Sequence, residues 1–202
     1  MPQSITERVQ RAVQRRGRGA VFVPADFLAL GSRAAIDVAL HRLVRSGVIR
    51  RLARGVYDFP IQHPVLGDLV PAIEQVAQAL ADRDGTRLLP TGAVAANALG
   101  LSEQVPARVV FLTDGKSRTV QIGPTTIQFR HTTPKNLATA GRLSGMLIQA
   151  LRAVGRANLT PARRHQLRRT IPAAQRRKLL DDLRFAPSWM HPIFRELAED
   201  EE

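Results

Sequence analysis

The chain has 202 residues, 44% of them hydrophobic, a formal net charge of +13 and no cysteine, and its sequence pI is near 11.6. That apolar fraction supports one large core or two small ones, and the missing cysteines exclude disulfides, thiolate metal sites and a cysteine nucleophile. So positive a balance favours a polyanionic partner. With only 4% aromatic residues and no basic amphipathic stretch bearing a Trp and Phe face, nucleic acid is favoured over a membrane surface. No run reaches membrane-spanning length, and the opening MPQSITERVQRAVQRRGRG lacks the apolar centre of a secretory signal, so the expected compartment is the cytoplasm.

Taken in chain order, Ser4-Ile5-Thr6-Glu7 makes a capping box for a first helix whose inner face is Ile5, Val9, Ala12 and Val13. Pro24 suits the first position of a short helix over Ala25 to Leu30, ended by Gly31. Ser32 caps the next helix, in which Ile36, Ala39, Leu40, Leu43 and Val44 form one apolar stripe. Arg33, Ala34, Asp37, Val38, His41, Arg42 and Arg45 lie outside that stripe. Gly47 stands where a helix cap belongs, and two short runs, Val48 to Leu52 and Val56 to Phe59, flank Arg54-Gly55 as a hairpin with a basic tip. This order is that of a winged helix-turn-helix, a DNA reader, spanning residues 1–60.

In that layout the second helix enters the major groove by its N-terminal residues while the hairpin holds phosphates or the minor groove. The expected DNA contacts are Ser32 at the start of the helix, Arg33, Ala34, Asp37 and His41 over the bases, Arg42 and Arg45 on phosphates, and Arg51 and Arg54 at the hairpin. Arg8, Arg11, and Arg15 or Arg16, are expected on the flanking backbone. Arg33 suits a guanine contact, and Arg54 a phosphate. Asp37 either accepts from cytosine or orients Arg33 one turn away. Adjacent arginines in a strand point to opposite faces, so one of Arg50 and Arg51 is free to pair internally.

Pro60 and Pro64 mark a linker, IQHP, after which the chain changes character. Residues 66–84 read as a helix burying Val70, Ile73, Val76, Ala77 and Leu80, with Pro71 in its first turn. An Ala-rich helix runs from Thr91 to Leu99 and stops at Gly100, and Leu101 to Pro106 is a loop. Strands follow at Ala107 to Thr113 and Arg118 to Ile122 about the turn Asp114-Gly115-Lys116, and at Thr126 to His131. Residues 61–133 are thus a small α+β module, and the whole chain is α+β. Residues 134–202 read as helical, near Asn136 to Val154, Pro161 to Thr170 and Pro172 to Phe185.

Positive charge gathers at the ends: residues 1–58 hold eleven Lys and Arg against four acids, 59–151 eight against six, and 152–202 eleven against seven. The C-terminal arginines are either a second nucleic-acid surface or a solvated helical face. The acidic stretch Glu196 to Glu202 either frays or folds against them.

Catalysis finds little support. The five histidines, His41, His63, His131, His165 and His191, share no ligand spacing, and the glycines form neither a phosphate loop nor a dinucleotide fingerprint, so neither metal nor cofactor is expected. Asp114 and Lys116 could suggest nuclease chemistry, but a D-G step between apolar runs is explained as a turn.

The segment Gly31 to Tyr57 follows G-S-R-x-A-[IV]-x-x-A-L-x-x-L-V-x-x-G-x-I-x-R-L-x-R-G-x-Y, and TGAVAANALGLSEQVPARVVFLTDGKSRTVQIG adds a small-residue helix, a G-L-S step and a β-hairpin. In both, the chain resembles the AbiEi-type antitoxins of bacterial type IV toxin-antitoxin, or abortive-infection, pairs. The resemblance implies a transcriptional repressor that binds inverted repeats in double-stranded DNA upstream of its own operon, beside a gene for a nucleotidyltransferase-like toxin that it need not hold tightly. It stops short of the basic C-terminal region, which is open as a DNA clamp, a dimer surface or a toxin contact. A symmetric operator takes two copies about one helical turn apart, a homodimer on DNA. The readings of other classes are a nucleic-acid processing enzyme docked by the winged helix, and a winged helix that binds protein.

Overall fold

The computed structural model describes residues 4–103 and 108–199. The fold is α+β, in two compact units. The first runs to Gly85 and takes in Val120–Pro124, and the second comprises Thr86–Thr119 and the chain from Thr125. The sequence places boundaries at 60 and 133, which puts residues 61–85 in a middle module. They pack instead with the residues before them.

The first unit opens with helix α1 (Ile5–Arg16), where Ser4 Oγ accepts the Glu7 N–H and the Glu7 carboxylate accepts the Ser4 N–H. Strand β1 (Val21–Phe22) leads into a 3-10 helix (Pro24–Leu30), whose first turn is tied by Asp26 accepting the Val23 N–H at 2.9 Å. Helix α2 (Arg33–Arg45) is capped by Ser32, which accepts the Ala35 N–H. It ends at Gly47 (φ +71°), whose N–H reaches Val44 O while Val48 N–H reaches Leu43 O. That pattern needs a left-handed residue, hence glycine. Strands β2 (Arg50–Ala53) and β3 (Val56–Asp58) form a hairpin turning at Arg54-Gly55, and β3 lies between β1 and β2.

The core of this unit is Val9, Val13, Phe22, Phe27, Ile36, Ala39, Leu40, Leu43 and Ile49. Phe22 meets Phe27 edge-on at 5.4 Å and stacks on Tyr57 at 6.4 Å. Burial of each such side chain stabilises by about 1.5–3 kcal/mol, which makes α2 a rigid platform for whatever its outer face carries.

The expected linker is instead a second, smaller hairpin, β4 (Gln62–His63) with β5 (Gly67–Asp68). His63 Nδ1 accepts the N–H groups of Val65 and Leu66, supplying the turn's missing acceptor, which composition alone does not reveal. The helix expected from residue 66 begins later, as α3 (Ile73–Asp84), with Val76, Ala77, Ala79, Leu80 and Ala81 buried. The helix does not run through Val70, because the residue before a proline is driven to extended backbone; Pro71 precedes its first residue rather than lying in its first turn, and Val70 is exposed.

The second unit begins with β6 (Leu88–Pro90), a three-residue strand absent from the sequence reading, followed by α4 (Gly92–Ala98) and β7 (Arg108–Thr113); after β8 (Arg118–Ile122), whose residues from Val120 are grouped with the first unit, it resumes with β9 (Thr125–His131). The sheet order is β6-β7-β9-β8. This overturns the expected hairpin of β7 with β8. Strand β7 pairs in parallel with β9, from Arg108↔Thr126 to Thr113↔His131. Val109 and Phe111 on β7 and Ile127 and Phe129 on β9 are buried, and the two phenylalanines stack at 6.2 Å. Only Ile122 on β8 is buried, so the polar strand takes the edge and the two apolar ones pair. Pro90, which cannot donate to a ladder, also lies on an edge strand. Part of the expected loop to Pro106, and Ala107, the expected first residue of the next strand, lie outside the described residues.

Helix α5 (Leu143–Val154) starts seven residues after the expected Asn136, because residues 134–141 are taken up by turns. Gly145 permits close approach to the Thr139 carbonyl, against which any β-carbon would collide. Asp182, 3% exposed, accepts from Ser144 Oγ and from Arg142 Nη1 at 2.7 Å, anchoring this turn-to-helix junction. Then come α6 (Pro161–Thr170), α7 (Ala173–Arg176), a 3-10 helix (Arg177–Phe185) where sequence reading expected α-helix, and α8 (His191–Ala198), which it did not propose. Helices α4, α5, α6 and α8 share a core including Ala95, Leu99, Leu147, Leu151, Leu167 and Phe194.

Candidate nucleic-acid interface

The stripe that seats α2 leaves Ser32, Arg33, Ala34, Asp37, Val38, His41, Arg42 and Arg45 exposed on its other side. Arg33 Nε donates to both Asp37 oxygens at 3.0 Å, an exposed pair one turn apart. Of the two roles open to Asp37, this geometry is the orienting one. An exposed pair of this kind adds only about 0.3–0.5 kcal/mol, so its consequence is direction: both Nη groups stay available for a bidentate acceptor such as a guanine edge.

The hairpin resolves its two adjacent arginines. Arg50 shares a face with Asp58, its cross-strand partner, and donates to it at 3.1 Å and 2.5 Å, and to the carbonyls of Asp68 and Leu69. The hydrogen bond to Asp58 raises the guanidinium further above its ordinary range, against the opposing effect of burial. Asp58 is 1% exposed. Arg50 therefore ties the two hairpins together, while Arg51, opposite Tyr57, is exposed.

Arg54 is also exposed, at a turn where Gly55 has φ +71°. Its carbonyl accepts from Arg83 on α3, which pairs with Asp84 as well. Sequence reading missed Arg83, since nothing local marks a bond spanning 29 positions. Arg83→Ala should leave α2 intact but loosen the turn, so that amide exchange at Arg54 and Gly55 rises about tenfold, the loss of about 1.4 kcal/mol of local protection. Unchanged exchange would show that the turn holds itself.

On α1, Arg8, Arg11 and Arg15 are exposed on the side away from Val9 and Val13. Arg16, offered as an alternative to Arg15, is occupied: it pairs with Asp26 at 3.4 Å and lies over the Phe27 ring. Arg18 likewise donates to the Pro60 carbonyl at 2.9 Å and covers Phe59.

In the second unit several C-terminal arginines are engaged within the fold. Arg163 donates to Asn158 O, Arg164 pairs with Glu196 at 3.1 Å, Arg168 reaches the carbonyls of Glu196 and Glu199, and Arg176 those of Ile171 and Arg168. Such donors satisfy the carbonyls that helix ends leave open. Glu196 and Glu199 are thus held against α6 rather than frayed, and residues 200–202 lie outside the described residues.

Asp114 does not pair with Lys116. It accepts from the Arg87 side chain and the Arg87 N–H, both at 2.8 Å. These bonds hold its carboxyl below the usual carboxylate range. Because the folded-state value is depressed, the stabilisation is present above the ordinary carboxylate range and is lost as pH falls through the lowered one. Carbon-13 NMR titration should find Asp114 titrating low and returning to the ordinary range in Arg87→Ala; identical midpoints would refute the pairing. Among the described residues no three His, Asp or Glu side chains are grouped to hold a metal ion, and no helix is long and apolar enough to cross a membrane.

The model of a family described as a family of unknown function, DUF6088, matches residues 8–179. No curated protein matches the chain. Among solved structures the chain is similar to the RV2827C protein from Mycobacterium tuberculosis, at 16% identity and a TM-score of 0.43, over 98% of this chain and 83% of that one.

Proposed function

The chain belongs to the DUF6088 family, whose function is unknown, and for this member we propose a sequence-specific DNA-binding repressor whose first unit acts as a winged helix-turn-helix. The observation that carries this reading is the outer face of α2. Eight positions between Ser32 and Arg45 are exposed on one side of a helix whose other side buries Ile36, Ala39, Leu40 and Leu43, and the sole acid among the eight, Asp37, is spent on aiming Arg33. A merely solvated face does not need an oriented guanidinium. In the proposed complex Arg33, Ala34, Asp37 and His41 lie over the major groove, Arg42 and Arg45 meet phosphates, and the Arg51–Arg54 turn follows the adjacent backbone with Arg8, Arg11 and Arg15 beyond it.

The similarity of Gly31 to Tyr57 to AbiEi-type antitoxins supports a narrower form of the proposal, repression of the protein's own operon as the antitoxin beside a nucleotidyltransferase-like toxin; the following module supports it less, since β7 pairs with β9 and not with β8 in the hairpin that the resemblance implies. Two copies on an inverted repeat supply the symmetry such operators have.

The test is selection from a pool of random duplexes by the purified chain at physiological salt. Enrichment of one motif, repeated with two-fold symmetry, is the expected result. A pool that stays random after several rounds refutes specific recognition.

A further inference from the structure

Helix geometry puts the most outward line of α2 somewhere other than on Arg33. At about 100° per residue, Ala34, Val38, His41 and Arg45 run along the ridge opposite the buried Ile36, Ala39, Leu40 and Leu43, with Arg33 and Asp37 on one flank and Arg42 on the other. The N-terminal half of that ridge, the half that meets base edges in a helix-turn-helix, is therefore apolar.

Val38 is 51% exposed. A β-branched residue at an outward position in mid-helix is a poorer helix former than alanine, and its methyl groups stand in water. Neither property helps α2 to fold. Both fit contact with an apolar group brought to the helix from outside. Ala34, one turn earlier, is short enough for the helix backbone to approach closely there. The flanks are the Arg33–Asp37 pair and Arg42, so polar contacts border this apolar strip.

The major groove offers one apolar feature, the C5-methyl group of a pyrimidine. Resting on the DNA-binding reading above, we infer that the Ala34–Val38 ridge is a docking surface for a pyrimidine C5-methyl group, with Val38 as the side chain that detects it. The methyl belongs to thymine or to 5-methylcytosine, and the contact is the same in either. Val38 then sets specificity at a base pair that Arg33, on the flank, does not read.

The experiment uses the full chain and the duplex enriched by selection, with each thymine replaced in turn by deoxyuridine and, separately, each cytosine by 5-methylcytosine, binding being read by fluorescence anisotropy. For the native protein, removal of the methyl at one or two thymines should weaken binding about fourfold, the loss of one buried methyl. Val38→Ala, which suits a helix and keeps the fold, should bind the thymine duplex about fourfold more weakly and be indifferent to the methyl, a non-additive cycle. Tightening by 5-methylcytosine at one position, seen with the native protein and absent in Val38→Ala, assigns the same contact to a modified cytosine. Selective binding that ignores both methyl groups, or a methyl response unchanged in Val38→Ala, overturns the inference and leaves the DNA-binding reading standing. Failure of any sequence to be enriched overturns both.

Discussion

Asp58→Ala is expected to lower the stability of the first unit by about 3 kcal/mol, whereas Arg51→Ala should leave it within about 0.5 kcal/mol. Asp58 is 1% exposed and Arg50 30%, so removal of the carboxylate strands a half-buried guanidinium between two hairpins. The loss falls at the lower end of the range for a broken buried pair because water can still reach Arg50. Asp58→Asn, which keeps the shape and one acceptor, should cost less. The sole tyrosine, Tyr57, lies in the first unit and the sole tryptophan, Trp189, in the second, so urea unfolding followed through each separates the two. A shift of the Tyr57 transition by Asp58→Ala and not by Arg51→Ala is the expected outcome. Equal effects of the two would mean that the division of labour between Arg50 and Arg51 is wrong.

Arg33→Ala should weaken binding to the selected duplex by about 1–3 kcal/mol, roughly 5- to 150-fold, and relax discrimination at one base pair. Its effect on an unrelated duplex should be small. Arg54→Ala should weaken all duplexes alike and reduce the slope of log K against log salt by about one. The contrast follows from geometry. Arg33 is held by Asp37 with two parallel donors left over, whereas Arg54 projects from an exposed turn and in the proposed complex meets the backbone. Asp37→Ala supplies the control: with Arg33 no longer held, discrimination should fall while stability changes by less than about 0.5 kcal/mol. Matching affinity and salt profiles for Arg33→Ala and Arg54→Ala would refute this docking arrangement.

What was legible in the sequence was what short-range rules govern. The capping box at Ser4, the cap at Ser32, the stripe from Ile36 to Leu43, the stop at Gly47 and the turn at Gly55 each depend on residues within a few positions of one another, and the structure has all five. Strand alternation likewise leaves one of Arg50 and Arg51 free to pair internally, and Asp58 decides which. Where a long-range partner decides, sequence was silent. The placing of β9 rather than β8 beside β7 depends on comparing the apolar content of three strands, and the D-G-K turn gave no warning of it. The hairpin after Pro60 depends on a histidine ring standing in for a backbone acceptor. Strand β6 is too short to show a period, and the bond from Arg83 to the Arg54 carbonyl has no local mark. Within the candidate interface, the charged residues drew attention and Val38 did not, because an exposed valine becomes informative only once the buried face of its helix is fixed.

The most direct test of the DNA-binding reading is anisotropy titration of the purified chain against the DNA immediately upstream of its own gene and against a scrambled duplex of the same composition, across a salt series. Phosphate contacts weaken both with salt, with a slope of about −0.9 per contact. The expected result is a preference for the native duplex that persists at physiological salt, because base contacts on α2 do not depend on counterion release. Equal affinity for the two duplexes at every salt concentration would contradict it, and would reduce the +13 charge to general attraction for polyanions.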